Sequence, residues 1–177
     1  IANVIRNAAP DVVAVQELDS VTRRSGGKYV LEEIAQRAQM SALFFPAIEY
    51  DGGKYGIGIL SREKPLKVEG VSLPGREEKR GMLIAEFEEY IFACTHLSLN
   101  EEDRMASLEI IRQQSAECGK PFVLAGDLNA TGDSDFIAAL QEDFKILNDV
   151  KVSTFPADVP DRTLDYIAIL KSTAPIH

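Results

Sequence analysis

The sequence predicts one α/β domain, and three observations carry that expectation. Short apolar runs such as Phe122-Val123-Leu124-Ala125-Gly126 end abruptly in polar residues, the pattern of a strand buried on both faces. Between such runs lie segments with apolar residues three and four apart, as in Val30, Leu31, Ile34, Ala35 and Ala38, which form one face of a helix. A length of 177 residues with 45% hydrophobic and 27% charged side chains suits one domain with an ordinary core. No apolar stretch reaches membrane-spanning length, and no signal-peptide pattern is visible. The chain opens at Ile1 rather than Met, which leaves open what precedes it.

In chain order, Ile1, Val4, Ile5 and Ala8 fall at helical spacing, and Pro10 closes a helix whose start no residue caps. Asp11 to Glu17 reads as a doubly buried strand ending in a carboxylate. A polar loop, Ser20 to Gly27, leads to the helix of Val30 to Ala38. Phe44-Phe45 run into a hairpin-like turn over Tyr50 to Tyr55, followed by a glycine-bearing strand to Ser61. Leu66 to Leu73 alternates as a strand, and Met82–Phe87 and Tyr90–His96 flank Glu88-Glu89 as a hairpin. Asn100 or Asp103 caps a helix with Met105, Leu108 and Ile111 inward, and Gly119-Lys120-Pro121 ends it. After the Phe122 strand, Asp133 or Ser134 caps a helix packing Phe136, Ile137 and Leu140. A loop rich in Pro and Asp then reaches a last strand, Leu164 to Leu170, and a polar tail to His177. No repeat, low-complexity tract or linker interrupts residues 1–177.

A net charge of −9 speaks against avid, non-specific polyanion binding. Cys94 and Cys118 have no metal-ligand spacing and read as buried thiols. The chemistry gathers instead at strand ends. Asp127 and Asn129 stand two apart, so an extended chain presents both side chains to one point, where strands of α/β sheets bind ligands. An Asx turn before a helix cap accounts for the same residues structurally. Glu17, a carboxylate suited to a hard divalent ion, and His96, a donor to a phosphoryl oxygen, also close strands, while Asp165 opens one. Taken singly, Glu17 also reads as a solvated strand end, and His96 and Asp165 read more readily as a hydrogen-bonded rim residue and a turn or salt-bridge residue.

The ordered set says more. Val15-Gln16-Glu17, Cys94-Thr95-His96-Leu97, Leu124-Ala125-Gly126-Asp127-Leu128-Asn129 and Arg162-Thr163-Leu164-Asp165-Tyr166-Ile167 resemble the endonuclease/exonuclease/phosphatase family, as does Thr154-Phe155-Pro156 ahead of the last motif. The resemblance implies an α/β (α+β), DNase I-like four-layer sandwich. Two central, mainly antiparallel β-sheets are flanked by helices, with one active site at their common edge. It makes Glu17 the Mg²⁺ ligand, with Mn²⁺ as an alternative ion. Asp127 and Asn129 position the attacking water and the phosphate and are candidates to serve a second metal. His96 contacts the scissile phosphate, and Asp165 orients a histidine supplied by a final S-D-H motif. Arg80 matches an arginine near the substrate, although an exposed basic residue beside Glu77 and Glu78 explains it as well.

Two departures stand out. The family's opening T-x-N strand and its closing S-D-H do not occur in residues 1–177, and His177 lies too soon after Asp165 to replace the latter. The expectation is a single domain trimmed at both ends: a monomeric Mg²⁺-dependent phosphoester hydrolase, impaired in this form. Its substrate is a small phosphodiester, a phospholipid headgroup or a nucleic acid, the last disfavoured by net charge. The alternative is a non-catalytic metal- or phosphate-binding module on the same scaffold.

Overall fold

The computed structural model describes residues 1–116 and 118–172; the tail ending at His177 lies outside them. Helix α1 (Ala2–Ala8) leads to strand β1 (Val12–Ser20) and helix α2 (Val30–Ala38). Strands β2 (Ser41–Tyr50) and β3 (Gly53–Ser61) form a hairpin around Asp51-Gly52. Strands β4 (Lys67–Leu73), β5 (Arg80–Glu86) and β6 (Ile91–His96) follow as a meander. Helix α3 (Glu101–Ala116) returns the chain to β7 (Phe122–Asp127), and α4 (Asp135–Asp143), β8 (Phe144–Ile146) and β9 (Asp165–Leu170) complete it.

The strands form two sheets, ordered β1-β3-β2 and β4-β5-β6-β7-β9-β8. Every pairing is antiparallel except β6 with β7, which α3 joins by the crossover that a parallel pair requires. The two-residue period of β7 shows why the sheets stack. Phe122 and Leu124 pack toward α3 and α4 with Leu108, Ile111, Phe136 and Leu140. Val123 and Ala125 point the other way, into an inter-sheet layer with Ile57, Ile59, Leu83, Phe92 and Cys94. On the outer face of the small sheet, Leu18 and Leu60 pack against Ile5, Leu31, Ile34 and Ala38 from α1 and α2. The four layers, helices–sheet–sheet–helices, are those of the DNase I-like fold.

Caps follow the sequence closely. Asn100 Oδ1 accepts from the Glu102 and Asp103 amides at the start of α3, and Ser134 Oγ accepts from Ile137 N at the start of α4. Two expectations need correction. Strand β1 does not stop at Glu17 but runs on to Ser20, because a bulge lets it resume pairing with β3 at Leu18–Gly56. It is also half-buried rather than doubly buried, since it forms an edge of its sheet. The short β8 escaped the reading because three residues carry no period.

A three-stranded sheet covers only part of a six-stranded one. Beyond the free edge of β1, the inner face of β7 and β9 floors an apolar groove of about 760 Å³, lined among others by Val12, Ala14, Val123, Ala125 and Ile167.

Candidate active site

Register sets out the site. Across the large sheet Gly81 pairs with His96, His96 with Asp127 and Asp127 with Asp165. Four adjacent strands therefore place Arg80, His96, Asp127 and Asp165 along one sheet end. In the facing sheet Glu17 has φ +56°, the left-handed conformation of an extra residue in the β1 bulge. That bulge turns Glu17 into the same cleft, of about 870 Å³, as Tyr55, Glu78, Arg80, His96, Arg104, Asp127 and Asn129. Asp165 is the exception: it stands in register with Asp127 but lines the apolar groove rather than the cleft.

The Gly-Asp-x-Asn run is fixed from both sides. A Cβ on Gly126, at φ +147°, would stand 2.0 Å from the Thr95 carbonyl oxygen, so only glycine lets β7 lie this close to β6. Asn129 is left-handed at φ +48°; its N–H donates to Asp127 Oδ1 (2.8 Å) and its Nδ2 to the Leu97 carbonyl (2.8 Å). The Asx turn expected on structural grounds is present. It also orients the amide, leaving Asn129 Oδ1 for the cleft.

The two central titratable groups move in opposite directions. Burial, helped by the nearby charges of Asp165 and Glu17, pushes the Asp127 carboxyl up to about 6, against the pull of the Asn129 N–H. Burial and the Arg80 guanidinium lower the His96 imidazole to about 4. The 3.7 Å approach of His96 Nε2 to Asp127 Oδ2 is therefore not an ion pair at neutral pH, because the ring is uncharged. A carboxylate poised near 6 accepts a proton efficiently, and a neutral imidazole still offers one N–H donor.

Arg80 corrects the exposed-residue reading: it is 7% accessible. Its Nη2 donates to Glu77 Oε1 (3.2 Å), its Nη1 meets Glu78 Oε1 (3.2 Å), and Nη1 also lies 3.2 Å from His96 Nδ1. Glu77 anchors this group. Although burial opposes ionisation, hydrogen bonds from Leu99 N, Ser98 Oγ and Arg80 bring its carboxyl down to about 2.

Arg104 was not among the sequence candidates. It lines the cleft from α3 but is buried: its Nη1 donates to the Ser98 and Leu99 carbonyls, and its buried Nε has no hydrogen-bond partner among the described residues. Its spacing from Leu108 and Ile111 placed it on the inward face, so a charge at a core position was a legible signal. Tyr55 and Glu78 also line the cleft, and nothing in their local sequence marks them; Phe155, from the Thr154-Phe155-Pro156 segment, lines it too.

Among the described residues, no three His, Cys, Asp or Glu side chains form a closed metal cage. Apart from the His96 imidazole, the possible metal donors lining the cleft with Glu17 are oxygens, with no thiolate, which suits Mg²⁺. That ion takes one or two carboxylates and keeps several waters, so an open site with one bulge-aimed glutamate fits it.

Layer order, register and cleft define a class: a two-sheet α/β sandwich with its polar groups converging at one sheet end. The model of the Endonuclease/Exonuclease/phosphatase family matches residues 1–168, and the chain belongs to that family, whose named activities all cleave phosphoester bonds. Solved structures agree on the fold. A D. rerio TDP2 humanized by 14 mutations is 24% identical, with 98% of this chain and 76% of that one covered at TM-score 0.71. The human Nocturnin catalytic domain with bound sulfate is 18% identical, covering 94% and 72% at TM-score 0.66. A mannosyl-6-phosphatase from Bacteroides thetaiotaomicron is 14% identical, covering 97% and 75% at TM-score 0.70.

Proposed function

We propose that this domain is a Mg²⁺-dependent phosphoester hydrolase acting on a small phosphodiester or phosphorylated small molecule. The observation that carries the reading is the register row His96–Asp127 with Arg80 beside it, facing Glu17 across the cleft. Glu17 would hold the metal, Mg²⁺ or alternatively Mn²⁺, which when bound supplies positive charge to polarise a phosphoryl oxygen. Asp127 accepts the proton of the attacking water, and Asn129 orients that water or the phosphate through its fixed amide. Neutral His96 donates its N–H to a non-bridging oxygen, and Arg80 brings the guanidinium. Asp165 acts on Asp127 through its charge.

Cleft composition favours a small substrate over nucleic acid. Glu17, Glu78, Glu101, Asp127, Asp133 and Asp135 line it against Arg80, Arg104 and Arg162. A duplex backbone needs the reverse balance. Because residues 1–177 contain no S-D-H and Asp165 faces the groove, turnover by this chain is expected to be slow.

Hydrolysis of bis-p-nitrophenyl phosphate with Mg²⁺ or Mn²⁺ tests the proposal, with Glu17→Gln and Asp127→Asn as controls. Turnover that rises with pH through about 6 and falls by roughly 10²- to 10⁴-fold in Asp127→Asn supports it. Unaltered rates in both variants would sink it. Retained phosphate binding with no turnover, even in a longer chain carrying S-D-H, would favour the binding module.

A further inference from the structure

Arg80 is the guanidinium nearest His96, yet both of its terminal nitrogens already meet carboxylates. The two acids are held very differently. Glu77 accepts three hydrogen bonds, from Arg80 Nη2 (3.2 Å), Leu99 N (2.9 Å) and Ser98 Oγ (2.8 Å), so it is tied to the loop after β6. Among the described residues, the Glu78 carboxylate has one charged partner, Arg80 Nη1 at 3.2 Å. It sits in the connection between β4 and β5 and lines the cleft together with His96 and Asp127. The Nη1 that Glu78 occupies is also the one that lies against the His96 ring.

A carboxylate and a phosphate present the same kind of acceptor to a guanidinium. We propose that Glu78 is a resident anion occupying Arg80 in the free protein, which a substrate phosphate must displace, making it a selectivity gate of the cleft. The inference rests on the proposed role of Arg80 and His96 in meeting phosphate. Glu77 neutralises Arg80 and fixes its position; Glu78 adds a further negative charge on the side a phosphate approaches. A bare anion with few other contacts is rejected, whereas an ester whose organic part also binds the cleft displaces the Glu78 side chain into solvent. The gate acts on affinity and leaves the fold of the site intact.

Calorimetric titration with inorganic phosphate, in chelator and again with Mg²⁺, tests this on the wild type, Glu78→Gln, Glu77→Gln and the Glu78→Gln/Arg80→Gln double variant. Glu78→Gln is expected to bind phosphate roughly 5- to 20-fold more tightly, since a neutral amide no longer competes for Nη1. The double variant loses that gain, and Glu77→Gln binds more weakly because Arg80 loses its anchor. A supporting role alone does not tighten binding when removed. Equal or weaker binding by Glu78→Gln, a gain that survives loss of Arg80, or no phosphate binding by any variant overturns the proposal. The hydrolase reading fails separately. Tightening without diester turnover retains the gate and loses the enzyme; turnover without tightening does the reverse.

Discussion

Strand β1 separates two hollows, and adjacent residues of it face different ones: Glu17 lines the polar cleft and Gln16 the apolar groove. In the cleft the groups contributed by the large sheet are locked by partners. Asn129 is held at both its N–H and its amide, and Arg80 is held by Glu77. The groove is bounded instead by mostly apolar side chains and by a strand edge that, among the described residues, pairs with no other strand. The difference teaches where preorganisation resides. The His96–Asp127 half of the site is built by packing in the six-stranded sheet. The Glu17 half hangs on a strand supported along one edge only.

The harshest way to break this comparison is Gly126→Ala. The added methyl meets the Thr95 carbonyl, which the β6–β7 pairing prevents from moving, and the backbone conformation is itself strained for alanine. A loss of about 4 kcal/mol or more is expected in urea unfolding, enough to leave little folded protein. Gly132→Ala is the control: nothing lies within 4 Å of its Cβ, and a change within about 0.5 kcal/mol is expected. Similar costs at both positions would mean the large sheet does not enforce the geometry.

Next comes the pH dependence of stability, where the two central groups oppose each other. His96 has a folded value near 4, below its ordinary 6.5. Its contribution is thus present above pH 6.5 and is lost as pH falls toward 4. Asp127 has a folded value near 6, above its ordinary 3.8, so its contribution is present below 3.8 and lost as pH rises through 6. Asp127→Asn removes the second effect alone. The variant should be more stable than wild type at pH 8, by roughly 1–2 kcal/mol, and should weaken more steeply on acidification. A variant less stable at pH 8 would show that the carboxylate is stabilised by its neighbours rather than penalised by burial. Proton NMR of Asp127→Asn, which removes the neighbouring titration, gives a direct check on His96, whose ring signals should stay constant from pH 8 to 5.5. A midpoint near 6.5 would show the ring exposed to solvent.

Much of this was legible in the chain. The Phe122–Asp127 strand announces itself by an unbroken apolar run and an abrupt polar end, and His96, Asp127 and Asn129 stand out because strand ends are where such polarity concentrates; Glu17 stands out the same way, although β1 runs on past it. What was hidden depends on pairing. The burial of Arg80 requires Glu77 to fold back against Ser98 and Leu99, more than 20 positions along the chain. The contact of Glu78 with the same guanidinium is likewise a product of the β4–β5 connection. The bulge at Glu17 exists only because β1 shifts register against β3, and no local feature of Val15-Gln16-Glu17 records the partner strand.

That bulge carries the smallest and most discriminating expectation. A non-glycine residue at φ +56° costs on the order of 1 kcal/mol, so Glu17→Gly should gain up to about 1 kcal/mol over Glu17→Gln in urea unfolding. Both variants lose the carboxylate, so both should lose activity alike, which separates the backbone contribution from the chemical one. Relief of strain by glycine means the register of β1 against β3, not the glutamate side chain, holds the bulge open. A loss of stability in Glu17→Gly relative to Glu17→Gln would reverse that order. The side chain would then be what maintains the conformation, and the Glu17 half of the site would be as firmly built as the half on the large sheet.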